Sequence, residues 1–529
     1  MTDFDCARVE YTQDPPLVQF PQVYNAAVDF IDHKALTACG KQIALIDDGG
    51  EYNYQALHRL VNQCGNALME AGAGPHERVL MCMDDSIEFV AVFWGAIKIG
   101  AVPVPVNTRL RQKDYALLFS DCEPRLVVTD AHCADIFRSL GADSPFDSHV
   151  VVAGIEPRQD ASLAMRMRRA PCELQPCPAT PEDVAFWLYT SGSTGIPKGV
   201  MHRHQSLIHT AVLFGQGVLG LSPHDRLYSA AKMHFAYGLG NSMTFPFHAA
   251  ATSVVSRLRP MPENILDILT THRPTVFFAV PTIYAQILSA AKRSSDLQLE
   301  QLRLCVSAGE ALPAEIGRRW EDRFGIEIID GLGTTEMLQT FISNRPGEVR
   351  YGTSGKPVSG YTVRLVNHTG NEVERGNEGE LRVKGPSAAT GYRGRPRETK
   401  ATFLDGWTRT GDYYKEDEDG FFHFLGRRDD LLKVGGLWVS PMEIETVLLR
   451  HELVVEVAVV GYRTAEGLEK PRAFIVLDDP AQASDALKEE MKVLVQSELA
   501  IYKYPRSIEF VEELPRTTTG KLQRYRLRE

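Results

Sequence analysis

The sequence is poor in the features that mark several protein classes. Its 9 cysteines among 529 residues are odd in number, form no C-x-x-C pair and all lie between Cys6 and Cys305. That scatter reads as reduced thiols, and neither a disulfide framework nor a zinc site is expected. Long apolar runs are missing: the most apolar stretch, Val90 to Val106, is broken by Lys98, Pro103 and Pro105, so no segment is expected to span a bilayer. The first residues, Met1-Thr2-Asp3-Phe4-Asp5, are acidic where a secretory signal is basic, and a cytoplasmic protein without a membrane partner is expected. Positive charge is in deficit, 57 Lys and Arg against 68 Asp and Glu for a net −11, which argues against a nucleic acid as partner. Repeats and low-complexity tracts are absent too.

What is present is globular: 44% hydrophobic and 24% charged residues, in a chain long enough for a large domain plus a smaller one. Buried-strand patterns at Arg78 to Cys82, Val102 to Val106, Arg125 to Thr129, Ser148 to Val152, Val184 to Tyr189, Thr275 to Val280, Leu302 to Ser307 and Ile326 to Ile329 alternate with helix-like segments such as Ile87 to Ile99. The alternation predicts an α/β class with largely parallel strands and ligands at their carboxyl ends. Pro157 to Pro181, with five prolines, reads as an exposed connector. From Gly360 to His423 short strands and Gly-containing turns predict a small β subdomain, and Gly426-Arg427-Arg428-Asp429-Asp430 predicts a boundary. The domains are therefore taken as 1–428 and 429–529, the second a small α+β unit. Its first helix is expected to carry a capping box of Ser440 and Glu443, with Pro441 at the first helical position.

The strongest chemical signal follows the apolar run Val184 to Leu188: Tyr189-Thr190-Ser191-Gly192-Ser193-Thr194-Gly195-Ile196-Pro197-Lys198-Gly199-Val200. Hydroxyls interleaved with glycines let backbone N–H groups close around phosphate oxygens while Lys198 adds charge. It is not the Walker form, because Gly199 follows Lys198 where Ser or Thr is needed. A Gly/Ser/Thr cluster alone is more often a surface turn, and Glu336 after Gly331-x-Gly333 is alone more often a first-turn acid. Asp412 in Thr410-Gly411-Asp412 could equally close its turn, and Lys521 in a polar tail could simply be solvated. His202-Arg203-His204 lacks further nearby ligands and reads as surface or helix-start histidines, so no metal beyond a nucleotide-bound Mg²⁺ is expected.

Taken in order, these segments with Ser307-Ala308-Gly309-Glu310, Gly331-Leu332-Gly333-Thr334-Thr335-Glu336 and Pro515-Arg516-Thr517-Thr518-Thr519-Gly520-Lys521 resemble the acyl-adenylating superfamily of acyl- and aryl-CoA ligases, adenylation domains and luciferases. The resemblance covers nearly the whole chain. It implies ATP, Mg²⁺ and coenzyme A, a large amino-terminal domain of α/β layers and a mobile carboxyl-terminal domain. It further implies a nucleotide site of Thr190, Ser191, Gly192, Ser193, Thr194, Gly195, Lys198, Ala308, Gly309, Glu310, Asp330, Gly331, Leu332, Gly333, Thr334, Thr335, Asp412 and Arg427. Lys521 would bridge the attacking carboxylate and the ATP oxygens, Thr335 would bond the α-phosphate, and Glu336 would hold Mg²⁺. Asp429 would be the hinge, after whose rotation Lys433, Gly435, Gly436, Leu437 and Trp438 would line the path of the CoA arm.

Lys232 to Asn241 and Glu336 to Asn344 are similar to the benzoate-CoA ligase group, which implies an aromatic acid against His234, Ala236, Tyr237, Gly238, Gly331 and Gln339. Phe235 reads more readily as core. That group usually has an aromatic in place of His234 and a histidine in place of Gln339. Both side chains can donate and accept hydrogen bonds, so a hydroxy-, amino- or heteroaryl acid joins benzoate as a candidate. Three alternatives stay open: loading of a carrier protein, a cyclic or short aliphatic acid, and non-catalytic nucleotide sensing. A homodimer is compatible with any of them.

Overall fold

In the computed structural model, residues 6–142, 149–154, 162–190, 197–292, 297–427, 430–434, 437–464, 468–516 and 522–528 are described. The expected α/β class is found. Arg78–Cys82 lies between Val102–Pro105 and Leu126–Asp130 in a four-stranded, fully parallel sheet completed by His149–Ala153. These strands are mostly apolar, with polar residues confined to their ends at Arg78, Thr129, Asp130 and His149, as in a parallel sheet covered on both faces. A second, nine-stranded sheet is parallel through its middle, where Ile328–Gly333, Leu304–Ser307, Val276–Ala279, Arg226–Ser229, Thr252–Val254 and Ile43–Asp47 lie side by side. The strand expected to end at Ile329 runs on to Gly333, because Thr340–Ser343 returns antiparallel to pair with it.

The small β subdomain is a five-stranded antiparallel sheet ending in Phe422–Arg427. Beyond it Val454–Arg463, Glu469–Leu477 and Ser507–Phe510 form a sheet backed by helices Pro441–Leu448 and Asp485–Glu498, an α+β unit with its own apolar core around Ile444, Leu448, Ile475 and Met491. No helix among the described residues is long and apolar enough to cross a membrane.

Two local expectations need correction. The connector is not uniformly exposed: Leu163–Arg169 is a helix that buries Leu163 and Met167, and Asn62 and Asn66 donate to the carbonyls of Cys172 and Pro171, pinning the chain that follows. Nor does the capping box form. Ser440 Oγ donates to the Leu425 carbonyl and Glu443 pairs with Lys503 at 2.6 Å, so both side chains tie the helix start to its surroundings instead of to its own N–H groups.

Helices Tyr54–Glu70 and Ile87–Lys98 cross so closely that a Cβ on Gly95 would stand 2.9 Å from the Gly65 nitrogen. The same crossing buries Lys98, 1% exposed, whose ammonium bonds Asp32 at 2.6 Å and Asn62 at 2.7 Å. Removing one partner of a buried pair strands the other without solvent. Lys98→Met should therefore lower unfolding stability by about 3 kcal/mol in urea titrations, and Lys98→Met with Asp32→Leu should recover part of that loss.

Candidate active site

Strand Val184–Thr190 turns back antiparallel into Lys198–Arg203, with Thr190 opposite Lys198, so the phosphate-loop motif connects two paired strands. Ser191, Gly192, Ser193, Thr194 and Gly195 lie outside the described residues. On the far side, Lys198–Arg203 pairs with Gly391–Tyr392, Val200 facing Tyr392. Side chains alternate along a strand, so Lys198, Val200 and His202 share the face on which Tyr392 stands.

That face organises the site. Lys198 Nζ lies 5.0 Å from the centre of the Tyr392 ring, a cation–π contact. The Tyr392 hydroxyl donates to Glu336 Oε1 at 2.7 Å, and Ala389 N–H donates to the Glu336 carbonyl. Ring stacking on Phe186 at 5.2 Å holds His202, whose Nε2 meets the Thr335 carbonyl at 2.9 Å. His202, on a strand and 0% exposed, departs from the surface or helix-start placement expected for the pair, whereas His204, 3% exposed, opens helix His204–Thr210 as the helix-start reading has it. Burial pushes His202 down to about 3, so its imidazole is neutral and Nε2 carries the donated proton. Its job is to fix the Thr335–Met337 turn that carries Glu336. Thr334 caps this turn, its hydroxyl accepting from Met337 N–H at 3.2 Å.

Glycines close the site where backbones touch. A Cβ on Gly331 would meet Thr340 Cγ2 at 2.7 Å and one on Gly333 the Gln339 carbonyl at 2.9 Å, so these two glycines, with Leu332 between them, let the two strands meet. Asp330, before them, is buried with Oδ1 lacking a partner while Oδ2 accepts from Leu312 N–H at 3.3 Å. Burial pushes its carboxyl up to about 8, against the N–H groups and the Ser307 hydroxyl that favour the anion. Leu304–Ser307 delivers Ala308, buried, and Gly309, whose φ of 93° suits glycine. Next comes Glu310, whose Oε1 accepts the Leu522 N–H at 2.7 Å while Oε2 lies 3.6 Å from Arg516 Nη1. Lys521 itself lies outside the described residues.

Asp412 and Arg427 stand opposite each other on neighbouring strands, Arg427 Nε 3.4 Å from Asp412 Oδ1; Thr410-Gly411-Asp412 is not the expected turn but lies within strand Trp407–Glu416, where the register with the neighbouring strand shifts and Gly411 reaches φ 76°. The Asp412 carboxylate is thus fixed and oriented by a guanidinium. Leu432–Val434 and Leu437–Val439 form a hairpin containing Lys433, Leu437 and Trp438; Gly435, Gly436 and the hinge residue Asp429 lie outside the described residues.

The segment expected to wall the acid is a short helix, Ala236–Leu239, running into Gly240. A Cβ on Gly238 would stand 2.1 Å from the Lys232 carbonyl, so only glycine fits this fold-back. Tyr237 is half-buried, its hydroxyl donating to the Val306 carbonyl at 2.9 Å; Phe235 is half-buried too, less enclosed than core. Gln339 departs from the expected role. Its Nε2 donates to the carbonyls of Ala236 and Tyr237, both at 3.1 Å, and its Oε1 accepts from Thr340 N–H, so the amide clamps the helix and is not free for a ligand. His234 is 7% exposed and its Nε2 is buried without a partner. Burial pushes it down to about 3, leaving a neutral imidazole.

Tyr392 and His202 were not singled out from sequence as site residues. The alternation of Lys198, Val200 and His202 along one strand is the signal that could have found the second; Tyr392 has only an unremarkable Gly-Tyr-Arg setting and becomes visible through strand pairing.

Comparison with known proteins agrees with this geometry. Residues 31–393 match the AMP-binding enzyme family and residues 443–521 its C-terminal domain. The chain is 46% identical to a benzoate–CoA ligase of Thauera aromatica, covering 98% of both chains. It is 42% identical to a 4-hydroxybenzoate–CoA/benzoate–CoA ligase of Rhodopseudomonas palustris, over 96% of this chain and 94% of that one. Among solved structures, an anthranilate CoA ligase in complex with anthranoyl-AMP superimposes with a TM-score of 0.92 at 38% identity, over 96% of this chain and 97% of that one. A benzoate CoA ligase from Burkholderia xenovorans gives 0.89 at 40% identity, over 96% and 100%. Shared motifs, matching two-part architecture and full-length similarity lead to one statement: this chain belongs to the AMP-binding enzyme family.

Proposed function

We propose that the chain is an AMP-forming ligase that joins a benzoate-type aromatic carboxylic acid to coenzyme A at the expense of ATP. The observation that carries the reading is the Lys198–Tyr392–Glu336 contact, which holds an ammonium and a carboxylate around one ring where the phosphate-loop hairpin ends. That pairing suits a triphosphate accompanied by a divalent cation. One oxygen of Glu336 is occupied by Tyr392 and the other is left to bind, which fits Mg²⁺, an ion held by one or two carboxylates together with substrate phosphates. When bound, Mg²⁺ would neutralise phosphate charge.

The chemistry follows from the poor reactivity of a carboxylate. Its oxygen attacks the α-phosphorus of ATP, the bond to the bridging oxygen breaks and pyrophosphate leaves, giving an acyl-adenylate. Two anions must approach each other, and Lys521, with Thr335 at the α-phosphate, offsets their repulsion. Asp412 accepts from the ribose hydroxyls, as a carboxylate with two oxygens can, and the Ala308-Gly309 backbone lies against the adenine. The CoA sulfur then attacks the carbonyl, gives up its proton and expels AMP. Rotation about Asp429 exchanges the Lys521 segment for Lys433 to Trp438, whose paired glycines admit the CoA arm. A cytoplasmic location would suit an enzyme that uses ATP and CoA and carries free thiols, and a homodimer is compatible with a site drawn from one chain.

His234 favours a refinement of the acid. A neutral, buried imidazole whose Nε2 has no protein partner is best satisfied by a hydroxyl or amino group on the ring, the kind of substituent named in the Rhodopseudomonas relative.

Four sets of measurements test these assignments. In a panel of benzoates, hydroxybenzoates, aminobenzoates, heteroaryl, cyclohexane and short aliphatic acids, aromatic acids should give the fastest AMP release and that release should require CoA. His234→Phe should lower kcat/KM for hydroxy- or aminobenzoates relative to benzoate by about tenfold, the effect of one buried hydrogen bond. Because His234 titrates near 3, the ratio in the parent enzyme should not change between pH 5 and 9. Lys521→Ala should reduce acid-dependent pyrophosphate release by about 100-fold or more while leaving thioester formation from supplied acyl-adenylate intact; Gly436→Leu should do the reverse. Finally, Tyr392→Phe should slow adenylation by about tenfold and raise the Mg²⁺ concentration needed for half-maximal rate, since Glu336 loses its tether.

A further inference from the structure

Glu310 closes the Ser-Ala-Gly-Glu motif of the large domain, yet both of its carboxylate oxygens face the carboxyl-terminal unit. Oε1 takes the Leu522 N–H at 2.7 Å and Oε2 faces Arg516 at 3.6 Å. Those two residues bracket the stretch containing Lys521. They form an isolated antiparallel bridge with each other, reinforced by Gln523 N–H to the Pro515 carbonyl at 2.8 Å, so Glu310 holds a paired stem on both sides of that stretch. Arg516 is itself steadied from its own side by Glu456 at 2.8 Å, on strand Val454–Arg463.

We propose that Glu310 is a positioning residue for one half-reaction only: its carboxylate docks the 516–522 stem on the nucleotide motif for adenylation and must let go for thioester formation. The idea rests on the ligase reading above. A carboxylate accepting a backbone N–H and facing a guanidinium makes charge-assisted contacts stronger than neutral ones, so the docked orientation is specified rather than merely permitted. Each contact also ends in a group that water can solvate. Glu310 is 26% exposed and Arg516 21%, so undocking does not strand a charge in an apolar interior. The same carboxylate, placed one residue beyond Gly309, ties the docking point to the backbone expected to meet the adenine. Nucleotide loading and arrival of the lysine segment are thereby joined through a single residue.

The test separates docking from nucleotide contact. With the full-length enzyme, Glu310→Ala should lower kcat for acyl-adenylate formation about 30-fold, as expected for two lost polar contacts, with a smaller change in KM for ATP. Thioester formation from saturating acyl-adenylate and CoA should fall at least fivefold less than acyl-adenylate formation, since any nucleotide contact of Glu310 is shared by both half-reactions, and an unchanged far-UV circular dichroism spectrum reports correct folding. Glu310→Gln, still able to accept from Leu522 N–H, should fall between. Arg516→Ala should reproduce part of the defect, and the double variant should lose less than the product of the two single losses. Equal loss in both half-reactions, a defect confined to KM for ATP, full additivity with Arg516→Ala, or no defect would each overturn the proposal. A parent enzyme that released no pyrophosphate with any acid of the panel would instead overturn the ligase reading.

Discussion

The hydrogen bond from Tyr392 to Glu336 is the contact on which the site's geometry turns, because it joins pieces of chain that no single element could bring together. Glu336 sits in a turn between two strands of the nine-stranded sheet, whereas Tyr392 belongs to a separate three-stranded sheet with the phosphate-loop strands. His202 makes a second tie of the same kind, from the middle strand of the small sheet to the Thr335 carbonyl. One face of one strand therefore addresses the loop through Lys198, the ring of Tyr392 through Val200's register, and the turn through His202. A carboxylate expected to share a metal with phosphates gains from such over-determination, since a displacement of an ångström misaligns an in-line attack.

The chemistry was more legible in the sequence than the packing behind it. The order of the Thr190 to Lys198, Ser307 to Glu310, Gly331 to Glu336, Thr410 to Asp412 and Pro515 to Lys521 segments carries the family, and strand Arg78–Cys82 follows the expected bounds. Failures cluster where a polar side chain found a partner distant in sequence. Gln339 was read as facing a ligand, but its amide bonds the 236–237 backbone about a hundred positions earlier in the chain. Ser440 and Glu443 have the spacing of a capping box and instead bind Leu425 and Lys503. Local spacing reports local options, and a tertiary partner of better geometry overrides them. Burial of His202 and His204 was hidden for the same reason: imidazoles are read as solvent-facing unless a stacked ring such as Phe186 is known to cover them.

The buried ionisable groups around the site divide by what a ligand can give them. His202 bonds the turn through Nε2, and although its Nδ1 is also buried without a partner, the ring is stacked on Phe186, so its neutrality serves rigidity. His234 and Asp330 each keep a buried polar atom with no protein partner. In an interior of low polarity such an atom costs more than a satisfied one, and the cost falls when a ligand supplies the missing hydrogen bond. Asp330 lies within strand Ile328–Gly333 just before Gly331, and His234 precedes the helix carrying Tyr237, so the two flank the places expected for nucleotide and acid.

The contact between the two parts of the chain has the character a reorienting domain needs. The carboxyl-terminal unit keeps its own apolar core, while its polar links to the large domain include Glu310 to Leu522, Ser289 to Asp478 at 3.1 Å, Arg319 to the Leu449 carbonyl at 3.3 Å and Ser440 to the Leu425 carbonyl. Hydrogen bonds of this kind are exchanged for water at small net cost, whereas a continuous apolar seam would have to be exposed. The protein thus places its hydrophobic stabilisation within each unit and its orientational information between them. Glu310 is the most informative of those links, because among the described residues it reaches from the Ser-Ala-Gly-Glu segment to Arg516 and Leu522, the residues on either side of the stretch containing Lys521, so the orientation proposed for the first step would be specified by polar contacts rather than by an apolar seam.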